Sequence, residues 1–104
     1  MRMMMKVSIP VESGNAAVAN GTLGTTIQKI LSEVHPEAAY FAAENGERTG
    51  YIILDMTDSS QMVQFAEPWF LAFNARIEFQ PCMTPQDLGK AAASLENIVK
   101  AYFK

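Results

Sequence analysis

The chain has 104 residues, 49% hydrophobic and 18% charged, with a net charge of −3. That length fits one domain around one modest core, and the composition excludes intrinsic disorder. The acidic balance argues against a nucleic-acid or anionic-membrane partner, and one Cys with one His excludes a disulfide framework and a Cys/His zinc site.

Met3 to Ile9 alternates, with Met3, Met5, Val7 and Ile9 on one face and Met4, Lys6 and Ser8 on the other. This is the first strand, and Pro10 ends it. Val11 to Gly14 reads as a loop carrying Glu12. A helix is expected over about 15–34, with the stripe Leu23, Ile27, Ile30, Leu31 and Val34. Gly21 and Gly24 weaken its first half, so a break at Asn20-Gly21-Thr22 is open. His35-Pro36 ends it.

Ala38–Glu44 and Thr49–Met56 read as strands joined by Asn45-Gly46, the strongest short hairpin signal. Asp58 with Gln61 spells a capping box for a helix running to about Phe73. Its apolar stripe is Met62, Phe65, Ala66, Trp69 and Phe73. Pro68 inside it predicts a kink or a restart. Arg76 to Met83 alternates as a fourth strand. Thr84-Pro85 opens a last helix to about Tyr102, striped by Leu88, Ala92, Leu95, Val99 and Tyr102.

The order strand, helix, strand, strand, helix, strand, helix is the split arrangement of an α+β, ferredoxin-like βαββαβ domain with a C-terminal helix added. Right-handed crossovers put the two main helices on one face of a four-stranded antiparallel sheet. Met5, Val7, Ile9, Phe41, Ile52, Leu54, Ile77 and Phe79 then face the helices. Met4, Lys6, Ser8, Tyr40, Ala42, Tyr51, Ile53, Glu78 and Gln80 face away. That second set mixes aromatic, aliphatic and polar groups as an interface does, so a two-fold homodimer through it is expected.

The opening Met1-Arg2-Met3-Met4-Met5-Lys6 lacks the apolar segment of a signal peptide, and no run approaches the roughly 20 apolar residues of a membrane helix. Lone Cys82 fits a reducing compartment. The cytoplasm is the expected location.

The whole chain resembles the dimeric α/β-barrel superfamily, within a set of small bacterial proteins. The resemblance rests on Ile9-Pro10-Val11-Glu12-Ser13-Gly14-Asn15, Pro36-Glu37-Ala38-Ala39-Tyr40-Phe41, Arg48-Thr49-Gly50, 66–75 (AEPWFLAFNA) and Pro81-Cys82-Met83-Thr84-Pro85. It implies a ferredoxin-like fold and a dimer. The superfamily includes monooxygenases, haem-degrading enzymes and lactone isomerases. The Asn, Trp and His set of the haem degraders is incomplete here: strand one offers Val7, Ser8 and Ile9, and His35 sits at a helix end.

No glycine-rich phosphate loop, nucleophile elbow or His-Glu-x-x-His motif occurs, and no cofactor is expected. The ligand-pocket candidates are Trp69, Phe70, Phe73, Tyr40, Tyr51, Glu78, Lys6 and Arg76. Trp69, Phe70 and Phe73 read either as helix core or as the wall of an apolar pocket. Glu78, facing Lys6 across the ladder, reads as an interface ion pair or, with the tyrosines, as a polar cavity lining. RNA-binding domains share this element order, but the strands here carry Glu44, Asp55 and Glu78, which opposes nucleic acid. Two functions remain: a homodimeric binding or structural module without chemistry, or an enzyme or carrier for a small apolar organic molecule.

Overall fold

The computed structural model describes residues 1–103. Strand β1 (Arg2–Ile9) buries Met3, Met5, Val7 and Ile9, each at most 4% exposed, and leaves the alternate residues half-buried. Helix α1 (Val11–Ala19) follows at once, so the expected loop at Val11–Gly14 is helical instead. Pro10 explains the early start. Its φ of −54° is pre-set for helix entry, and its carbonyl accepts from the Gly14 amide at 2.9 Å. Glu12 in the first turn adds a favourable charge at the helix N-terminus. The helical region does break where the glycine allowed it. Gly21, at φ +70°, separates α1 from α2 (Leu23–Val34), which ends at His35 in the left-handed conformation before Pro36.

Strands β2 (Ala38–Glu44) and β3 (Glu47–Asp55) form the hairpin read from Asn45-Gly46. Both turn residues have positive φ, 53° and 75°, the conformation that twists with the strands. Helix α3 (Gln61–Phe73) starts with a shifted capping pattern. Gln61 Oε1 accepts from the Asp58 amide at 3.2 Å, while Asp58 Oδ1 accepts from Ser60 N at 2.9 Å. The helix does not restart at Pro68. It continues to Phe73 with Pro68 inside, and Asn74, at φ 52°, closes it.

β4 (Arg76–Pro81) completes the sheet. The strand order is β2-β3-β1-β4, every neighbour antiparallel, which is the ferredoxin-like arrangement. Ile30, Phe65, Trp69 and Phe73 pack against the inward row Met3, Met5, Val7, Ile9, Ile52 and Leu54 to form the core.

The expected last helix is two helices, α4 (Pro85–Lys90) and α5 (Ala92–Tyr102), meeting at Ala91. Thr84 and Asp87 form a full capping box at the start of α4. Helix α5 leans on α4 and makes no substantial contact with the sheet or with α1–α3. Its stripe therefore stays open: Leu95, Ile98, Val99 and Tyr102 are all more than half exposed. The principal extents are 62 × 28 × 20 Å, and the radius of gyration is 17.6 Å. A compact chain of this length has about 13 Å. Among the described residues no helix is long and apolar enough to cross a membrane.

Candidate functional site

The most apolar hollow is a cleft of about 380 Å³ between the start of α2 and the β2–β3 hairpin, on the helix-covered side of the sheet. Its floor is Val7 and Ile9 of β1 with Gly50 of β3. Leu23 and Ile27 of α2 form one wall, and Trp69 of α3 and Phe41 of β2 close it. Local sequence builds each part. Strand alternation sends Val7, Ile9 and Gly50 inward. The four-residue spacing of Leu23 and Ile27 puts both on one helix face.

Gly50 shapes the floor. It stands opposite Phe41 in the β2–β3 ladder, and a Cβ on it would lie 3.0 Å from the Phe41 ring. Without a side chain there, the ring lies down on the β3 backbone. Phe41 is on an edge strand and 52% exposed, so it forms the rim and not the core.

Trp69 has no exposed surface, and its ring centroid lies 6.1 Å from that of Phe73. Its Nε1 is buried without a hydrogen-bond partner. A buried N–H left unpaired costs about 1–3 kcal/mol, so the indole carries an unsatisfied donor within the core.

Arg48 is the one ionisable group of the lining. It follows the turn on the inward parity of β3, toward α1 (Gly14 packs against it). Its Nη2 donates to Asn15 Oδ1 at 3.1 Å. A larger hollow of about 500 Å³ between α1 and the end of α3 is lined mainly by small and polar residues such as Ser13, Ala16 and Asn20, and gathers no comparable set of groups.

The sequence-derived candidates fall on two sides of the sheet. Trp69 lines the cleft. Phe73 is core behind it, and Phe70 lies outward on α3, 39% exposed, beside a separate shallow hollow. Tyr40, Tyr51, Lys6 and Glu78 form one row across the opposite face: Tyr40 pairs Tyr51, Tyr51 pairs Lys6, and Lys6 pairs Glu78. The register matches the expected Lys6–Glu78 opposition, yet the Lys6 ammonium pairs with Glu44. Tyr51 Oη also donates to Glu44, at 2.6 Å. The Lys6 hydrogen bond, then that of Tyr51, holds the Glu44 carboxyl below its usual range, and the same Glu44 carboxylate raises both Lys6 and Tyr51. Arg76 pairs with Glu47 on this face. Among the described residues no group of three or more His, Cys, Asp or Glu is placed to hold a metal ion.

Arg48, Phe41, Gly50, Leu23 and Ile27 are the site residues that sequence reasoning did not assemble. The usable signal was the inward parity of Arg48-x-Gly50 opposite an aromatic on the hairpin partner.

No curated protein matches the chain. Among solved structures it is similar to a formyltetrahydrofolate deformylase from Pseudomonas putida KT2440, at 12% identity and a TM-score of 0.48. That match covers 79% of this chain and 29% of the deformylase chain, so the chain spans less than a third of the larger protein. The sequence matches the family described as "Domain of unknown function (DUF3303)" over residues 1–96, and the chain belongs to that family.

Proposed function

We propose that this protein is a small-molecule-binding module that holds a largely apolar organic ligand in the cleft beside Trp69 and works as a two-fold homodimer. The cleft carries the ligand half of this reading. Its walls are apolar, and its lining carries one charged group, Arg48. Ligand sites share this make-up: mostly apolar linings with a few polar groups that fix orientation. A binding role fits better than catalysis by side chains. Arg48 is the lining's one ionisable residue, and a guanidinium does not exchange protons at ordinary pH.

The dimer rests on two open surfaces. The outward sheet face presents Tyr40, Ala42, Ile53 and Met4 around the Lys6–Glu44–Tyr51 network. The α5 stripe presents Leu95, Ile98, Val99 and Tyr102, with Phe103 beyond it. A helix of 11 residues is marginal alone, so packing must support it. A standard interface removes about 800 Å² from each partner. The sheet face and stripe together offer Tyr40, Tyr102 and Phe103, each more than two-thirds exposed, toward such a contact. In the proposed two-fold dimer the second copy covers both patches. The resemblance to dimeric α/β barrels supports the same arrangement.

Trp69 is the sole tryptophan, so its emission reports on the cleft. Titration with small aromatic and branched aliphatic compounds is expected to shift that emission saturably for at least one class. A flat response across the panel means that no member of it enters the cleft. That outcome removes the ligand half. Sedimentation equilibrium tests the other half, with twice the chain mass expected and a single-chain mass contradicting it.

A further inference from the structure

We propose that the cleft's ligand is an organic carboxylate, its apolar skeleton lying between Leu23, Ile27 and Phe41 and its carboxylate held by Arg48. This inference rests on the ligand-binding reading above and adds the chemical class.

The argument starts from where cations go in this chain. There are three arginines. Arg2 pairs with Glu37 and Asp87, and Arg76 pairs with Glu47. Arg48 alone has no carboxylate within 4 Å among the described residues. Its one side-chain partner is the neutral amide oxygen of Asn15. A guanidinium carries five N–H donors in a planar fork, so most of its capacity stays unused. It is half-buried at the edge of an apolar cleft, where a charge left without a counter-ion is costly and a supplied anion binds more strongly than in open water.

Gly14 is the second observation. A Cβ on Gly14 would lie 2.5 Å from Arg48 Nη1 and 3.4 Å from its Cδ. The Arg48 side chain therefore packs close against α1 at Gly14, and α1 has a glycine inside it, a choice that weakens a helix by roughly 1 kcal/mol against alanine. Asn15 on the next position holds the other side of the fork. The Gly14-Asn15 pair on α1 and Arg48-Thr49-Gly50 on β3 thus serve one end: Gly14 and Asn15 seat the cation, and Gly50 opens the floor beside it. A planar cation seated this way matches a planar carboxylate, which it can bind with two parallel hydrogen bonds.

The test compares matched probes by calorimetry: 2-naphthoate against 2-naphthylmethanol, and octanoate against octanol. Each pair shares its skeleton and differs in the head group. The carboxylate is expected to bind at least about tenfold more tightly, with a preference that shrinks as salt rises. Arg48→Gln should bring the ratio toward one, and Arg48→Lys should leave an intermediate ratio, since it keeps the charge but loses the fork. Gly14→Ala, outside the cleft lining, should also lower the ratio by displacing the guanidinium. Circular dichroism checks that each variant folds. Equal binding of acid and alcohol by the wild type overturns the carboxylate assignment while the cleft stands. A preference that survives Arg48→Gln overturns Arg48 as the anchor. Binding of neither member of either pair removes the cleft reading and the anchor together.

Discussion

The Tyr51 hydroxyl donates to Glu44 Oε1 at 2.6 Å, back across the hairpin from β3 to the end of β2. Lys6 meets the other oxygen of the same carboxylate from the neighbouring strand. One carboxylate thereby ties three strands together on the outward face of the sheet.

The pH dependence follows from the signs. Glu44 titrates below its usual 4.5, so it contributes stability above that value and loses it as pH falls through the lowered one. Lys6 titrates above its usual 10.5, so its contribution is complete below that value and is lost as pH rises past the raised one. Between those limits Glu44→Gln should lower the thermal midpoint, and below about pH 4 the gap to wild type should narrow. Melting curves from pH 3 to 8 check this. A gap of constant size across that range contradicts the assignment.

Trp69 is core as well as cleft wall. Trp69→Ala should cost about 3–5 kcal/mol, read from urea unfolding. Trp69→Phe should cost less than that, because it also removes the unpaired Nε1–H. Near-full stability in Trp69→Ala contradicts the core placement.

Thr84 caps α4 by accepting from the Asp87 amide at 3.1 Å, and Asp87 returns the contact to the Thr84 amide at 3.0 Å. That backbone hydrogen bond is the main reason the Asp87 carboxyl sits below its usual range. Thr84→Ala should cost the helix about 1 kcal/mol. Because α4 is joined to the sheet chiefly by the Arg2–Asp87 ion pair, the loss should appear as faster amide exchange across α4, with little change in global unfolding. A fall of the global midpoint by the whole amount, with α4 exchange unchanged, argues that α4 unfolds only with the core.

The open stripe of α5 gives a direct test of the dimer. Leu95→Glu with Val99→Glu places two charges among residues that are 56% and 54% exposed in the single chain. Such a change on a free surface should barely alter stability. On a dimer interface it should halve the solution mass at micromolar concentration, as light scattering would record. A dimer unaffected by the pair places the contact elsewhere.

Much of the architecture was legible from local chemistry. Met3, Met5, Val7 and Ile9 alternate, and alternation has one geometric meaning in a strand. Asn45-Gly46 accepts positive φ at both turn positions, which sets the hairpin and through it the Tyr40–Tyr51 register. The start of α1 was misjudged because a lone Pro10 reads equally as a strand stop and as a helix entry. At Pro68 the expected restart does not occur, and the helix runs on to Phe73. The burial of Phe65, Trp69 and Phe73 on both sides of it outweighs the missing backbone bond.

By itself the sequence determined the order of the four strands and of the helical segments between them, the antiparallel hairpin and the two faces of the sheet, because period-two alternation, turn residues and caps act over a few neighbours. Only the tertiary structure decided that Arg48 rests on Gly14, that Phe41 lies over Gly50, that Lys6 turns to Glu44 and away from Glu78, and that α5 stands off the core. Those outcomes depend on which side chains, distant in sequence, arrive at the same point in space and on how far each can reach, and no local pattern carries that information.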